Sequence, residues 1–229
     1  MIQENSTSSD ITAPPRGGPW RSFLGRALFE AGLIVFSLLV ALWLSDMQER
    51  RGIEADVAAT REALIAEMRA NREILLSEYH LGHQQTLMGS IAQTLEDSHS
   101  LDELREGALT AYQMGPHLPE LHDAAWRAAS STGMLQHMDR EEVFAISTVY
   151  SAQDAQTRLT TAYYPHLLQL ATYQGEAVQL RGALTGVATF LGDLTASEQM
   201  IAARQAQALE AMGESPDAPT EAPLVTQEY

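Results

Sequence analysis

The chain has 229 residues, 45% of them hydrophobic, enough for one helical domain together with a membrane segment and tails. Its 14 basic residues are all Arg and stand against 30 Asp and Glu. The formal net charge of −16 argues against binding to nucleic acid or anionic headgroups, both of which need basic surface. With no Cys, disulfides, thiol nucleophiles and thiolate metal sites are excluded.

Residues 1–19, rich in Ser, Thr, Pro and Gly, read as a disordered N-terminal tail. Residues 20–45 read as a transmembrane anchor. Ala31–Leu44 is a run of fourteen residues without a charge, and extension back to Ala27 gives eighteen. That is about 27 Å of helix against a hydrocarbon core of ~30 Å. Trp20 and Trp43 are spaced to sit near the two headgroup layers, Arg26 can snorkel outward, and Glu30 falls near one end of the span. A buried soluble helix is the alternative, but a helix apolar all round needs a large core to cover it. A cleaved signal peptide fits less well, because a long polar stretch precedes the apolar run and no small-x-small pattern follows it.

Orientation rests on a tie: Arg16, Arg21 and Arg26 precede the span, and Arg50, Arg51 and Arg61 follow it. Acids beside the downstream arginines (Asp46, Glu49, Glu54, Asp56) favour a cytoplasmic N-terminus. The reading is therefore a single-pass protein of the bacterial inner membrane with a periplasmic domain.

Residues 46–212 read as a helical bundle. Ile53, Val57, Leu64, Met68 and Leu75 recur at helical spacing, and Leu87, Ile91 and Leu95 resume the stripe. This predicts a long stalk helix continuing from the anchor to about Asp97, broken near Gly82. Three capping boxes then mark helix starts: Ser100 with Glu103, opening a helix to about Met114; Asp139 with Glu142; and Thr195 with Glu198, opening a last helix that ends before Gly213.

Pro119 suits the first turn of a helix carrying Trp126, with Leu121, Ala124, Ala125 and Ala128 on its apolar face and Gly133 as its stop. Pro165 predicts a kink or break at Tyr163–Pro165, followed by a further helix to about Gly192. Residues 213–229 hold three prolines and four acids with no base and read as a disordered acidic tail. No strand pattern survives, so the fold class is all-α: an N-terminal transmembrane helix continuing into a stalk helix, followed by a bundle.

Two stretches resemble an uncharacterised family of bacterial single-span membrane proteins, a domain of unknown function. One is EAGLIVFSLLVALWLSDMQERR, residues 30–51, where Glu30, Ala41, Ser45, Asp46 and Glu49 occupy the matching places. Ser37 stands where a Gly is expected, and Met47 where a Trp is expected. The other is AWRAASSTGMLQHMDREEVFAISTVYSAQD, residues 125–154, with Trp126, Thr132, Gly133, Leu135 and Tyr150 in the matching roles. The resemblance implies membrane anchoring and a helical domain, and brings no activity. The residues themselves make Trp126 a core anchor and Gly133 a helix stop.

The search for chemistry turns first to seven histidines. His80 and His83 lie three apart near Glu78, and His117, His122 and Asp123 cluster around Pro119; imidazole and carboxylate at such spacings suit zinc. Neither cluster is a complete ligand set, and surface histidines account for both. The acid pairs Glu96–Asp97, Asp102–Glu103 and Glu141–Glu142 read as helix-start acids. No HExxH, GxSxG, Walker or dinucleotide-binding motif occurs, so no catalytic residue or cofactor is assigned.

The leading expectation is an anchored interaction or scaffold protein of the envelope. Its partners would be the bilayer and either a second copy or another envelope protein, met along the exposed stripe of the stalk. An extracytoplasmic small-molecule or sensory module comes second. A metal-dependent enzyme comes third.

Overall fold

The computed structural model describes residues 20–218 apart from residue 172. The chain divides into two compact units, 1–53 and 54–229, and the described residues are helical with no strand among them. Helix α1 (Trp20–Leu76) belongs to both units.

In the first unit, the side chains of α1 between Leu28 and Leu44 are apolar apart from Glu30 and Ser37, and are exposed on every side of the helix. The most apolar eighteen-residue window has a mean hydropathy of 2.1, and none of it is buried. This one helix is long and apolar enough to cross a membrane. Ser37, at the centre of the stretch, turns its hydroxyl onto the carbonyl of Leu33 at 2.8 Å, which satisfies it within the helix.

The second unit is a bundle. The rest of α1 is followed by α2 (Glu78–Asp97), α3 (Leu101–Met114), α4 (Ala124–Thr132), α5 (Arg140–Ala171) and α6 (Ala177–Ala211), with a 3₁₀ turn at Met134–His137. Helices α5 and α6 pair antiparallel: Tyr163 stacks on Phe190 at one end, and Arg204 donates to the Thr148 carbonyl towards the other. One core lies between α2, α3 and the first half of α6, centred on Ile91, Leu104, Leu184 and Leu191. A second lies between α1, α4, the start of α5 and the end of α6, centred on Leu64, Met68, Ile146 and Leu209. A smaller cluster of Leu75, Ala152 and Ile201 lies in α1, α5 and α6.

The predicted stripe is the buried face. Leu64, Met68, Leu75, Leu87 and Ile91 are all buried, whereas Ile53 and Val57 are only half-buried. The long helix ends at Asp97 as expected but breaks at Ser77 rather than Gly82. Ser77 takes an extended backbone and accepts from His80 N at 3.2 Å, the N-cap arrangement that starts a new helix. Gly82 stays helical, since a single Gly costs a helix only about 1 kcal/mol.

Helix α3 begins and ends where the sequence places it, with the Ser100–Glu103 capping box formed in both directions. It approaches α2 closely at Gly107, where a Cβ would lie 2.2 Å from Thr94 Cγ2. Asp139 caps α5 by accepting from Glu141 N at 2.7 Å and Glu142 N at 3.4 Å. Gly133 ends α4 at φ +73, a backbone region open mainly to glycine.

Other expectations are corrected. Thr195 and Glu198 start no helix: α6 runs through both, because Thr195 bonds back to the Leu191 carbonyl and Glu198 is turned into the bundle. Pro119 lies outside any helix, and α4 begins five residues later at Ala124. Within α4 the inward residues are Ala125 and Ala129; Ala124 and Ala128 are exposed. Pro165 sits inside α5 without ending it, since Tyr163 packed on Phe190 and Leu170 in the core hold the flanking turns. Glu96 and Asp97 close α2 rather than opening a helix.

After α6, residues 213–218 lie along α1 instead of leaving the bundle. Arg61 donates to the Met212 carbonyl, Arg69 pairs with Glu214 at 2.8 Å, and Arg72 pairs with Asp217 at 3.1 Å. The remainder of the acidic tail, 219–229, lies outside the described residues, as does the N-terminal tail 1–19.

Candidate functional site

Two polar centres are built into the bundle. The first is carried by Glu67, which projects from α1 towards the start of α4. Asp123, at the N-cap position of α4, makes no capping bond with its side chain. Glu67 supplies the missing acceptors from another helix: it accepts from Ala125 N at 2.8 Å, Trp126 N at 3.3 Å and the Tyr150 hydroxyl at 2.6 Å. A carboxylate at a helix N-terminus is also favoured by the helix dipole.

The Trp126 and Tyr150 rings stack at 5.0 Å with 7° between their planes. Burial, and then the hydrogen bond to Glu67, push the Tyr150 phenol well above its usual range, so it stays a proton donor. Beside this stack lies an open cleft of about 370 Å³ walled by Trp126, Tyr150, Asp123, Arg127, Gln153 and Asp154. The two aromatic residues singled out by sequence therefore meet through a glutamate that no local pattern marks.

The second centre is Glu198, 2% exposed in the middle of α6. Its Oε2 lies 2.9 Å from His80 Nε2 and accepts from Gln84 Nε2 at 2.7 Å, while its Oε1 accepts from Gln156 Nε2 at 3.2 Å. Thr195 donates to Gln84 Oε1 at 2.9 Å and closes the group. Helices α2 and α5 supply these partners, so the buried carboxylate of α6 meets three hydrogen-bonding groups, as burial of charge requires. Asn71, also fully buried, bonds His122 in both directions at 2.7 Å and pins the loop before α4.

The histidine candidates are dispersed by this arrangement. His80 points inward to Glu198, whereas His83 faces the surface, with Nε2 2.7 Å from the Gly115 carbonyl and its ring 4.9 Å from that of His117. His117 meets the Tyr79 hydroxyl at 3.2 Å. His122 engages Asn71 through its backbone, and Asp123 pairs with Arg127 at 3.7 Å. Among the described residues no group of three or more His, Asp or Glu is placed to hold a metal ion.

The roles of Glu67 and Glu198 escaped the sequence reading for one reason: each acts across the bundle, on residues 42 or more positions away. The only local hint was a Glu on the apolar stripe, which a solvated face explains equally well. Both carboxylates are engaged by three donors, an arrangement that fixes structure and leaves little capacity for general-base work. No family model matches the chain, and neither the curated proteins nor the solved structures provide a significant match.

Proposed function

We propose that the chain is a single-span protein of the bacterial inner membrane that displays its helical bundle, on the periplasmic side, as an interaction module. The observation that carries this is the contrast within α1. The stretch Leu28–Leu44 exposes large apolar side chains all round, while the bundle has a hydrophobic core of its own and no need of them. Water opposes such a helix at ~25 cal/mol per Å² of apolar surface, and a bilayer does not. Membership of the single-span family resembled at residues 30–51 and 125–154 is part of the same proposal. So is a partner, a second copy or another envelope protein, meeting α1 near the half-covered Ile53 and Val57.

Fractionation tests the anchor: the full-length chain should stay in the membrane pellet after a high-pH wash and be released by detergent. Recovery of intact chain in the supernatant overturns the assignment. The Cys-free background makes the partner testable, since Ile53→Cys or Val57→Cys is the sole thiol in the variant. An oxidant added to native membranes should give a disulfide-linked dimer, or a heterobifunctional crosslinker a defined adduct. Chain that stays uncrosslinked at both positions counts against this face. A ligand-binding role is a second reading, favoured by a partly open cavity among α2, α3, α5 and α6.

A further inference from the structure

We propose that this cavity is a binding site for a small neutral molecule with an aromatic or short aliphatic body and one hydrogen-bonding group. The inference deepens the ligand-binding reading and is independent of the membrane assignment.

The cavity has a volume of about 240 Å³. Its walls are Leu87 and Ile91 from α2, Ala111 from α3, and Val187 and Leu191 from α6, all of them buried core residues. Protein interiors are close-packed, with few voids larger than a water molecule. This space matches about eight waters at ~30 Å³ each. Water held against such walls would lack partners: an apolar cavity of ~150 Å³ stays dry and takes up benzene. The walls thus select an apolar body.

The margin of the cavity selects the rest. Tyr112, Gln113 and Tyr164 line it, and both tyrosines are part-exposed, so the polar groups gather where the cavity meets solvent. They offer hydroxyl and amide groups that can donate or accept. Among the described residues no Arg, His, Asp or Glu lines the cavity, so a charged ligand would be desolvated without a counter-ion from them. A neutral alcohol, phenol or amide meets both requirements, and a carboxylate or an amine does not.

The test uses the full-length chain in lipid nanodiscs, which keeps detergent out of the cavity, and two probes of similar size, benzyl alcohol and benzoate. Methyl resonances of Leu87, Ile91, Val187 and Leu191 should shift saturably with benzyl alcohol. Binding of benzoate should be weaker by roughly tenfold or more, the cost of an unpaired charge. Ala111→Phe and, separately, Val187→Phe fill the space and should abolish the saturable shift while leaving the helical circular-dichroism signal intact. Should both variants unfold, intermolecular nuclear Overhauser contacts between benzyl alcohol and the Ile91 methyl in the native chain decide the matter. Absence of a saturable shift at millimolar benzyl alcohol, equal binding of benzoate, or binding retained in both filled variants would overturn the proposal. So would shifts confined to methyls outside the cavity.

Discussion

The two stretches of α1 share one continuous backbone and solve opposite problems. Between Leu28 and Leu44 the apolar side chains circle the helix and stay exposed, covered by none of the described residues. Between Arg61 and Leu75 the side chains of Leu64, Ile65, Met68 and Leu75 are buried, while Arg61, Glu67, Arg69 and Arg72 reach out to α4, α5 and the residues after α6. The two differ in overall hydropathy and, more tellingly, in its angular distribution. A stripe calls for a protein partner, and a full circle calls for lipid.

That contrast can be broken by substitution. The largest effect is expected from Leu64→Ala, which opens a cavity in the second core and should lower the bundle's unfolding free energy by about 2–5 kcal/mol. Leu39→Ala, in the exposed circle, should leave the same unfolding transition unchanged; denaturant melts in nanodiscs compare the two. If Leu39→Ala destabilises the bundle as much as Leu64→Ala does, the two stretches are not distinct. Next comes Leu39→Arg, whose insertion cost of about 2.5–3.5 kcal/mol should move chain out of the membrane fraction with the bundle still folded.

Glu67→Gln removes a charged acceptor from two backbone donors and a phenol, and should cost about 1.5–3 kcal/mol. The same site has an alkaline signature. The folded state raises the phenol pKa of Tyr150, so the unfolded chain releases that proton first as pH rises above about 10. Stability should therefore fall from there upward, and Tyr150→Phe should flatten that part of the profile.

A smaller effect of opposite sign belongs to Gln205, fully buried with neither amide atom bonded to a protein group. Gln205→Met should raise stability by about 1 kcal/mol, and a clear loss would show that the amide is satisfied. The smallest effect is at Glu103, fully exposed, whose carboxyl is lowered in pKa first by the His99 and then by the Ser100 backbone N–H. A lowered folded pKa contributes stability above the unfolded value and loses it as pH falls through the folded one. Amide exchange at the first turn of α3 should therefore quicken in acid, and Glu103→Ala should remove that dependence.

What could be read in advance follows from range. Ser100, Asp139 and Gly133 act on backbone within four residues, and their helix boundaries appear where the pattern puts them. The buried stripe was also legible, because periodicity is a local property. Thr195 and Glu198 share the spacing of a capping box, yet in a helix already propagating the Thr hydroxyl bonds backward to Leu191 and the Glu is free to serve the core. The break allowed for at Pro165 does not form, since packing on both sides of it outweighs one lost donor. Trp126 was legible as an anchor, whereas its dependence on Glu67 was not: the contact joins residues 59 apart.

The buried pairing of His80 with Glu198 carries a mechanical consequence. Sliding α6 by one turn, ~5.4 Å, against α2 would move the carboxylate away from His80 and Gln84, at a cost of several kcal/mol. These helices are latched in register. A one-turn piston stroke between them would have to bear that cost, whereas motion of the bundle as one body would not.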